Sequence, residues 1–152
     1  MTALALALTL PAVRRGGPVV PPTPLGPDLA INGTFDTATD WTLGGGFQIT
    51  AGFLLRNESA GSSSALQANA ILIPGSIYRI RFVVSGVSGS DNRILGRIYG
   101  GATVNGPIMT GNGVYQQDIA APPSPAGFGV FVVAGFAGLI DNFTIREVNP
   151  GT

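Results

Sequence analysis

The chain has 152 residues, 45% of them apolar but only 11% charged, against about 25% charged in an average domain, and its length suffices to bury one sizeable core. Eight arginines and eight acids cancel to zero net charge, and there is no Lys, His or Cys. These absences exclude an ordinary zinc site, a Ser-His-Asp triad, a thiol nucleophile, a lysine Schiff base and a Gly-Lys-Ser/Thr phosphate loop, and the neutral balance argues against a nucleic-acid partner.

In the first 15 residues Leu4, Leu6, Leu8 and Leu10 alternate with small residues, the period of a strand. The apolar run is too short to span a bilayer as a helix, so no membrane span is expected. Arg14 and Arg15 follow the run, whereas a secretion signal carries its basic residues in front. The segment is therefore expected to be retained as a strand-like arm. Six of the twelve prolines fall at Pro11, Pro18, Pro21, Pro22, Pro24 and Pro27. Residues 16–28 can form neither a helix nor a central strand, and polyproline geometry would make them a spacer about 40 Å long. A disordered tail is the plainer alternative for such a composition. The division is thus an extended arm, 1–28, and a compact domain, 29–152.

From Leu29 onward the pattern is strands between turns. Leu66, Ala68, Ala70 and Leu72 alternate, and Pro74-Gly75 turns the chain into the next strand. Over 77–85, Tyr78, Ile80, Phe82 and Val84 share one face, with Arg79 and Arg81 on the other. A strand is expected over 93–99, where Arg93, Leu95, Arg97 and Tyr99 share a face, and Asn105-Gly106 reads as a tight hairpin turn. Segments 114–119, 127–135 and 139–148 complete the set. Turn signals recur about every 8–12 residues and no long window keeps a helical period, so the expected fold class is all-β, a sandwich.

The strand over 127–135 is apolar on both faces: Phe128, Val130, Val132 and Ala134 on one, Phe131 and Val133 on the other. Such a strand must be covered on both sides, by its own loops or by another subunit. Phe128, Phe131 and Val133 are therefore candidates for an oligomer face, in a trimer or another symmetric homo-oligomer.

Candidate chemistry is sparse. Three Asn-x-Ser/Thr matches, at Asn32, Asn57 and Asn142, are of the frequency expected by chance in a chain rich in these residues. The glycine clusters at 44–46 and 111–113 precede no helix that could bring its N-terminus to an anion, and read as turns. Asp36, Asp40, Glu58, Asp91, Asp118 and Asp141 are the only general acid–base material, and most fall in turns, where Asp bonds its own backbone. No catalytic residue is expected. Among the aromatics, Phe35, Phe82, Phe143 and Trp41 read as core, whereas Tyr99, with Arg97 beside it on one strand face, is a candidate sugar contact.

In order along the chain, the segment Ile31-Asn-Gly-Thr-Phe-Asp36 followed by Trp41, the segment Ile73-Pro-Gly-Ser-Ile-Tyr-Arg-Ile-Arg-Phe82, and the close Gly138-Leu-Ile-Asp-Asn-Phe-Thr-Ile145 resemble the carbohydrate-binding-module-like (galactose-binding-like) jelly rolls over about residues 29–148. The resemblance implies a jelly-roll β-sandwich in which the first segment and the final strand lie side by side. Similar domains occur in secreted glycosidases and in surface proteins of tailed bacteriophages. The arm, spacer and single domain match the phage proteins better. The resemblance thus implies a non-enzymatic virion structural protein, either a head decoration or spike or a tail-surface subunit. Its partners would be capsid or tail proteins and a host surface glycan. The alternative is a secreted carbohydrate-binding module. In this reading Leu4, Leu6, Leu8, Leu10, Arg14 and Arg15 form the attachment device. Some members hold a structural calcium near these termini, where Asp36 and Asp141 stand here, but no full ligand set is matched and no cofactor is expected. The family's sugar-binding residues are not matched either.

Overall fold

The computed structural model describes residues 22–58, 61–68 and 71–149. The residues expected to form the attachment device, Leu4, Leu6, Leu8, Leu10, Arg14 and Arg15, lie outside them. The described chain is strands and turns: β1 (Leu25–Asp28), β2 (Thr42–Leu43), β3 (Phe47–Thr50), β4 (Phe53–Arg56), β5 (Ser63–Ala68), β6 (Ile77–Gly89), β7 (Arg93–Gly100), β8 (Val104–Asn105), β9 (Met109–Thr110), β10 (Gly113–Ala120), β11 (Pro125–Val132) and β12 (Phe136–Val148). They form two antiparallel sheets. Sheet I runs β10-β6-β12-β4-β3 with β1 added on β12, and sheet II runs β2-β5-β11-β7-β8 with β9 added on β7. From β5 to β7, and again from β10 to β12, the chain crosses from one sheet to the other at each strand, so consecutive strands face each other across the core. The all-β sandwich expected from the turn spacing is the fold observed.

Period-two alternation decides what lies between the sheets. On β6 the side chains of Tyr78, Ile80, Phe82 and Val84 are buried. Ile94 and Ile98 of β7, Phe128, Val130 and Val132 of β11, and Ile140, Phe143 and Ile145 of β12 join them in one core. Its centre is aromatic. Phe143 lies parallel to Phe82 (6.2 Å between centroids) and to Phe128 (5.8 Å), and Trp41 meets it edge-on at 5.2 Å. Phe143 thus ties sheet I to sheet II and to the loop before β2. Trp41 donates its indole N–H to the Asn32 carbonyl at 3.2 Å, which supplies the partner that a buried indole needs.

That loop is fastened to β12 at a bulge. Register shifts between Asp141 and Thr144, Asn142 takes a left-handed φ of 51°, and the Phe143 N–H donates to the Gly33 carbonyl at 2.9 Å. A side chain at position 33 would strike the Phe143 carbonyl, so the Asn-Gly pair here serves close approach. The first segment and the final strand therefore lie side by side, as the resemblance implies. Two buried amides close the ends of the sandwich. Gln67 accepts from the Ile31 N–H (2.9 Å) and donates to the Ile31 carbonyl (2.7 Å). Gln117 accepts from the Gly96 N–H (2.8 Å) and donates to the Pro107 carbonyl (2.6 Å). Each buried amide thereby has both its oxygen and its nitrogen bonded to backbone groups.

Three local expectations are corrected. Leu25–Asp28, read as spacer, is strand β1 on the edge of β12. Asp28 fixes it by accepting from the Ile145 N–H at 3.0 Å, so the sandwich starts at Leu25. On β5 the inward residues are Ala65 and Gln67, not Leu66 and Ala68, because the Gln67 amide is needed inside to hold Ile31. Asn105 is not in a hairpin turn. It lies on β8, opposite Arg97, and Gly100-Gly101 begin the reversal instead.

Candidate functional site

The outer face of sheet II is built in three register rows across β7, β11 and β5: Tyr99, Gly127 and Ala68; Arg97, Gly129 and Leu66; Leu95, Phe131 and Ser64. The two glycines leave the middle strand bare in the first two rows, so side chains from β7 lie down across it. Tyr99 folds over Gly127: a Cβ there would come within 2.6 Å of the ring and its hydroxyl. Arg97 reaches past Gly129 and sets its guanidinium 4.0 Å from the Phe131 ring centroid. It donates from Nη1 to the Ser64 hydroxyl and from Nε to the Asn105 side-chain oxygen, both at 2.8 Å.

The result is one ring lying over Gly127 beside a guanidinium that is stacked on a second ring and bonded on two sides. Burial lowers the Arg97 pKa and raises that of Tyr99. The guanidinium remains a cation and the phenol remains a hydroxyl donor at neutral pH. Such a surface offers apolar ring faces together with fixed donors, the combination that packs against and orients a sugar ring.

The structure brings together the candidate pair Tyr99 and Arg97, and adds Phe131, Ser64 and Asn105, which sequence reasoning did not place there. It separates the residues read as an oligomer face. Phe128 is fully buried and stacked on Phe143, so it belongs to the core. Phe131 is covered by Arg97 from its own chain. Val133, just past the end of β11, is half-buried and donates its N–H to the Arg93 carbonyl at 3.2 Å. The two-faced pattern of β11 thus has an intramolecular cover, and no second subunit is required to explain it.

The carboxylates are engaged locally. Asp36 accepts from the Thr34 hydroxyl, Asp40 from the Thr39 hydroxyl, and Asp141 from the Asn142 N–H. Hydrogen bonds from Ser90 hold the Glu58 carboxyl below the usual range, those from Arg93 do the same for Asp91, and those from Arg79 for Asp118. These shifts run opposite to the raised pKa that a general acid needs. A depression of about 330 Å3 among Gly89, Ser90, Asp91, Asn92, Arg93 and Thr110 has its acid and base already paired at 2.6 Å. Among the described residues no three acids gather as a metal site would require, so Asp36 and Asp141 are not joined by a third such ligand. Nor is any described helix long and apolar enough to cross a membrane.

No protein-family model and no curated protein matches the chain. Solved structures do. The enzymatically active domain of tailspike protein 4 from bacteriophage CBA120 is similar with 15% identity and a TM-score of 0.54, over 80% of this chain and 21% of that one. The chain therefore spans about a fifth of the tailspike chain it matches. A CBM4 carbohydrate-binding module is similar with 14% identity and a TM-score of 0.51, over 74% of this chain and 97% of that one. A family 29 carbohydrate-binding module follows with 12% identity and a TM-score of 0.47, over 72% and 79%. The first two likenesses show the fold, a jelly-roll sandwich similar to that of a carbohydrate-binding module.

Proposed function

We propose that this domain is a non-catalytic glycan-binding module, and that it binds sugar on the outer face of sheet II. The observation that carries the reading is the Tyr99–Arg97–Phe131 surface, laid over Gly127 and Gly129 and fixed by Ser64 and Asn105. Rings lying flat on a rigid sheet lose little freedom when a sugar covers them, and the bonded guanidinium presents its remaining N–H groups in a set direction. The likeness in fold to a carbohydrate-binding module supports the same reading. The depressed acids support the absence of catalysis.

The test is calorimetric titration of the full chain with cellohexaose, xylohexaose, mannohexaose and chitohexaose. At least one should bind, with the Tyr99→Ala variant weaker by about tenfold or more, the order expected from losing an aromatic contact. Binding that is indifferent to Tyr99 and Arg97, or bond cleavage in any of these sugars, would overturn it.

We further propose that the domain serves on a virion surface, with residues 1–24 as its attachment segment to capsid or tail proteins. The likeness in fold to a tailspike domain supports this role. Deleting residues 1–15 should leave a folded domain that no longer joins its particle; full incorporation of the truncated chain would refute the attachment role.

A further inference from the structure

The outer face of sheet I holds a charge imbalance that the proposed sugar surface does not use. On β6 and β12, outward residues alternate with the buried Ile80, Phe82 and Ile145. Register sets Arg146 directly opposite Arg79, and Thr144 opposite Arg81. On the far side of β6, Asp118 stands opposite Arg79 and Gln116 opposite Arg81. Like charges facing each other across two strands destabilise a sheet, and Asp118 answers only one of them. Its carboxylate accepts two bonds from Arg79, both at 2.7 Å.

Arg81 and Arg146 have no ion pair or side-chain hydrogen bond among the described residues. Each of the other four described arginines is engaged: Arg56 by the Asn57 and Gly61 carbonyls, Arg79 by Asp118, Arg93 by Asp91, and Arg97 by Asn105 and Ser64. The remaining nearby acids among the described residues form no ion pair with Arg81 or Arg146. Asp28, in register with Arg146, accepts from the Ala30 and Ile145 N–H groups. Glu147, the next residue on β12, stands opposite Tyr78, whose phenol pKa is raised chiefly by burial and further by the Glu147 charge. Two unanswered cations thus share one patch in a chain with no net charge.

Between them the surface dips into a depression of about 230 Å3 lined by Leu25, Arg79, Arg81, Gln116, Thr144 and Arg146. We propose that this depression binds the carboxylate of an acidic sugar residue. Arg81 and Arg146 present guanidinium forks that match a carboxylate. Gln116 and Thr144 flank Arg81 on its two sides as neutral partners for ring hydroxyls, and Leu25 supplies an apolar wall. The volume is smaller than the roughly 300–1,000 Å3 of sites for drug-sized ligands, and suits one sugar ring. An acidic protein surface fits less well, since a stable interface needs about 800 Å2 per partner around an apolar centre, and Leu25 is the one apolar lining residue. The anion site rests on the arginines; the choice of a sugar rests on the glycan reading above.

The test is a titration of the isotopically labelled full chain, followed at each backbone amide, with trigalacturonate, neutral galactotriose and sodium sulfate in parallel. Trigalacturonate should saturably shift Arg81, Gln116, Thr144 and Arg146, and galactotriose should leave them unmoved. Arg81→Gln and Arg146→Gln should each weaken that binding at least tenfold. Sulfate binding these amides as tightly as trigalacturonate would overturn the sugar assignment. No shift there, or shifts confined to Tyr99, Gly127 and Gly129, would overturn the site itself, and the latter would leave the sheet II reading standing.

Discussion

The two outer faces of the sandwich treat arginine in opposite ways. On sheet II, Arg97 is bonded on two sides and stacked on Phe131, so its charge is part of the scaffold. On sheet I, Arg81 and Arg146 stand outward with no partner among the described residues, in a row that already contains Arg79. The difference teaches that position on an alternating strand gives exposure, while neighbours decide whether a cation is spent on structure or left for a ligand. Both faces rest on one aromatic floor, in which Phe143 stacks on Phe82 from one sheet and Phe128 from the other.

The largest effect should come from breaking that shared floor. Phe82→Ala removes a fully buried ring in contact with Phe143 and Tyr115, and should cost about 3–5 kcal/mol in chemical denaturation. Both faces should then fail together, because neither has a core of its own.

The contrast between the arginines gives a sharper test. Arg97→Ala uncovers Phe131 and leaves Ser64 and Asn105 without their partner, so it should cost about 1–2 kcal/mol. Arg81→Ala touches no bonded group and should fall within about 0.5 kcal/mol of the parent. Equal costs for the two would erase the distinction on which the comparison rests.

Asp118→Asn should cost less than the loss of Arg97, below about 1 kcal/mol, because the Arg79 pair is partly exposed to solvent. Its sign with pH is fixed. Arg79 holds the folded carboxyl below its ordinary value, so the pair contributes stability above the unfolded pKa of about 3.9. That contribution is lost as pH falls through the lower folded value. Asn at this position should flatten that part of the acid limb of the stability curve. It should also tighten trigalacturonate binding by leaving Arg79 unanswered, a change that calorimetry would register.

Much of the fold was legible because alternation is a local signal. Tyr78 to Val84 announced an inward aromatic face and an outward arginine face, and both are found. The sugar candidates Tyr99 and Arg97 were legible for the same reason. Their partners were not, because Phe131, Ser64 and Asn105 meet Arg97 only through strand register, which a sequence does not display. The same limit put Phe128 on a surface: its strand is apolar on both faces, and only Arg97 reaching across Gly129 reveals how the outer one is covered. On β5 alternation pointed the wrong way, since a buried Gln67 bonded to Ile31 outweighs the apolar preference of Leu66.

The central claim, that sheet II is the sugar-binding face, is tested most directly by mapping a bound oligosaccharide onto backbone amides. Whichever neutral hexasaccharide binds in calorimetry is titrated into the labelled full chain. The account predicts saturable shifts at Arg97, Tyr99, Gly127, Gly129 and Phe131, all lost or weakened about tenfold in Tyr99→Ala. Shifts centred instead on sheet I, or on the loop from Gly89 to Arg93, would contradict it.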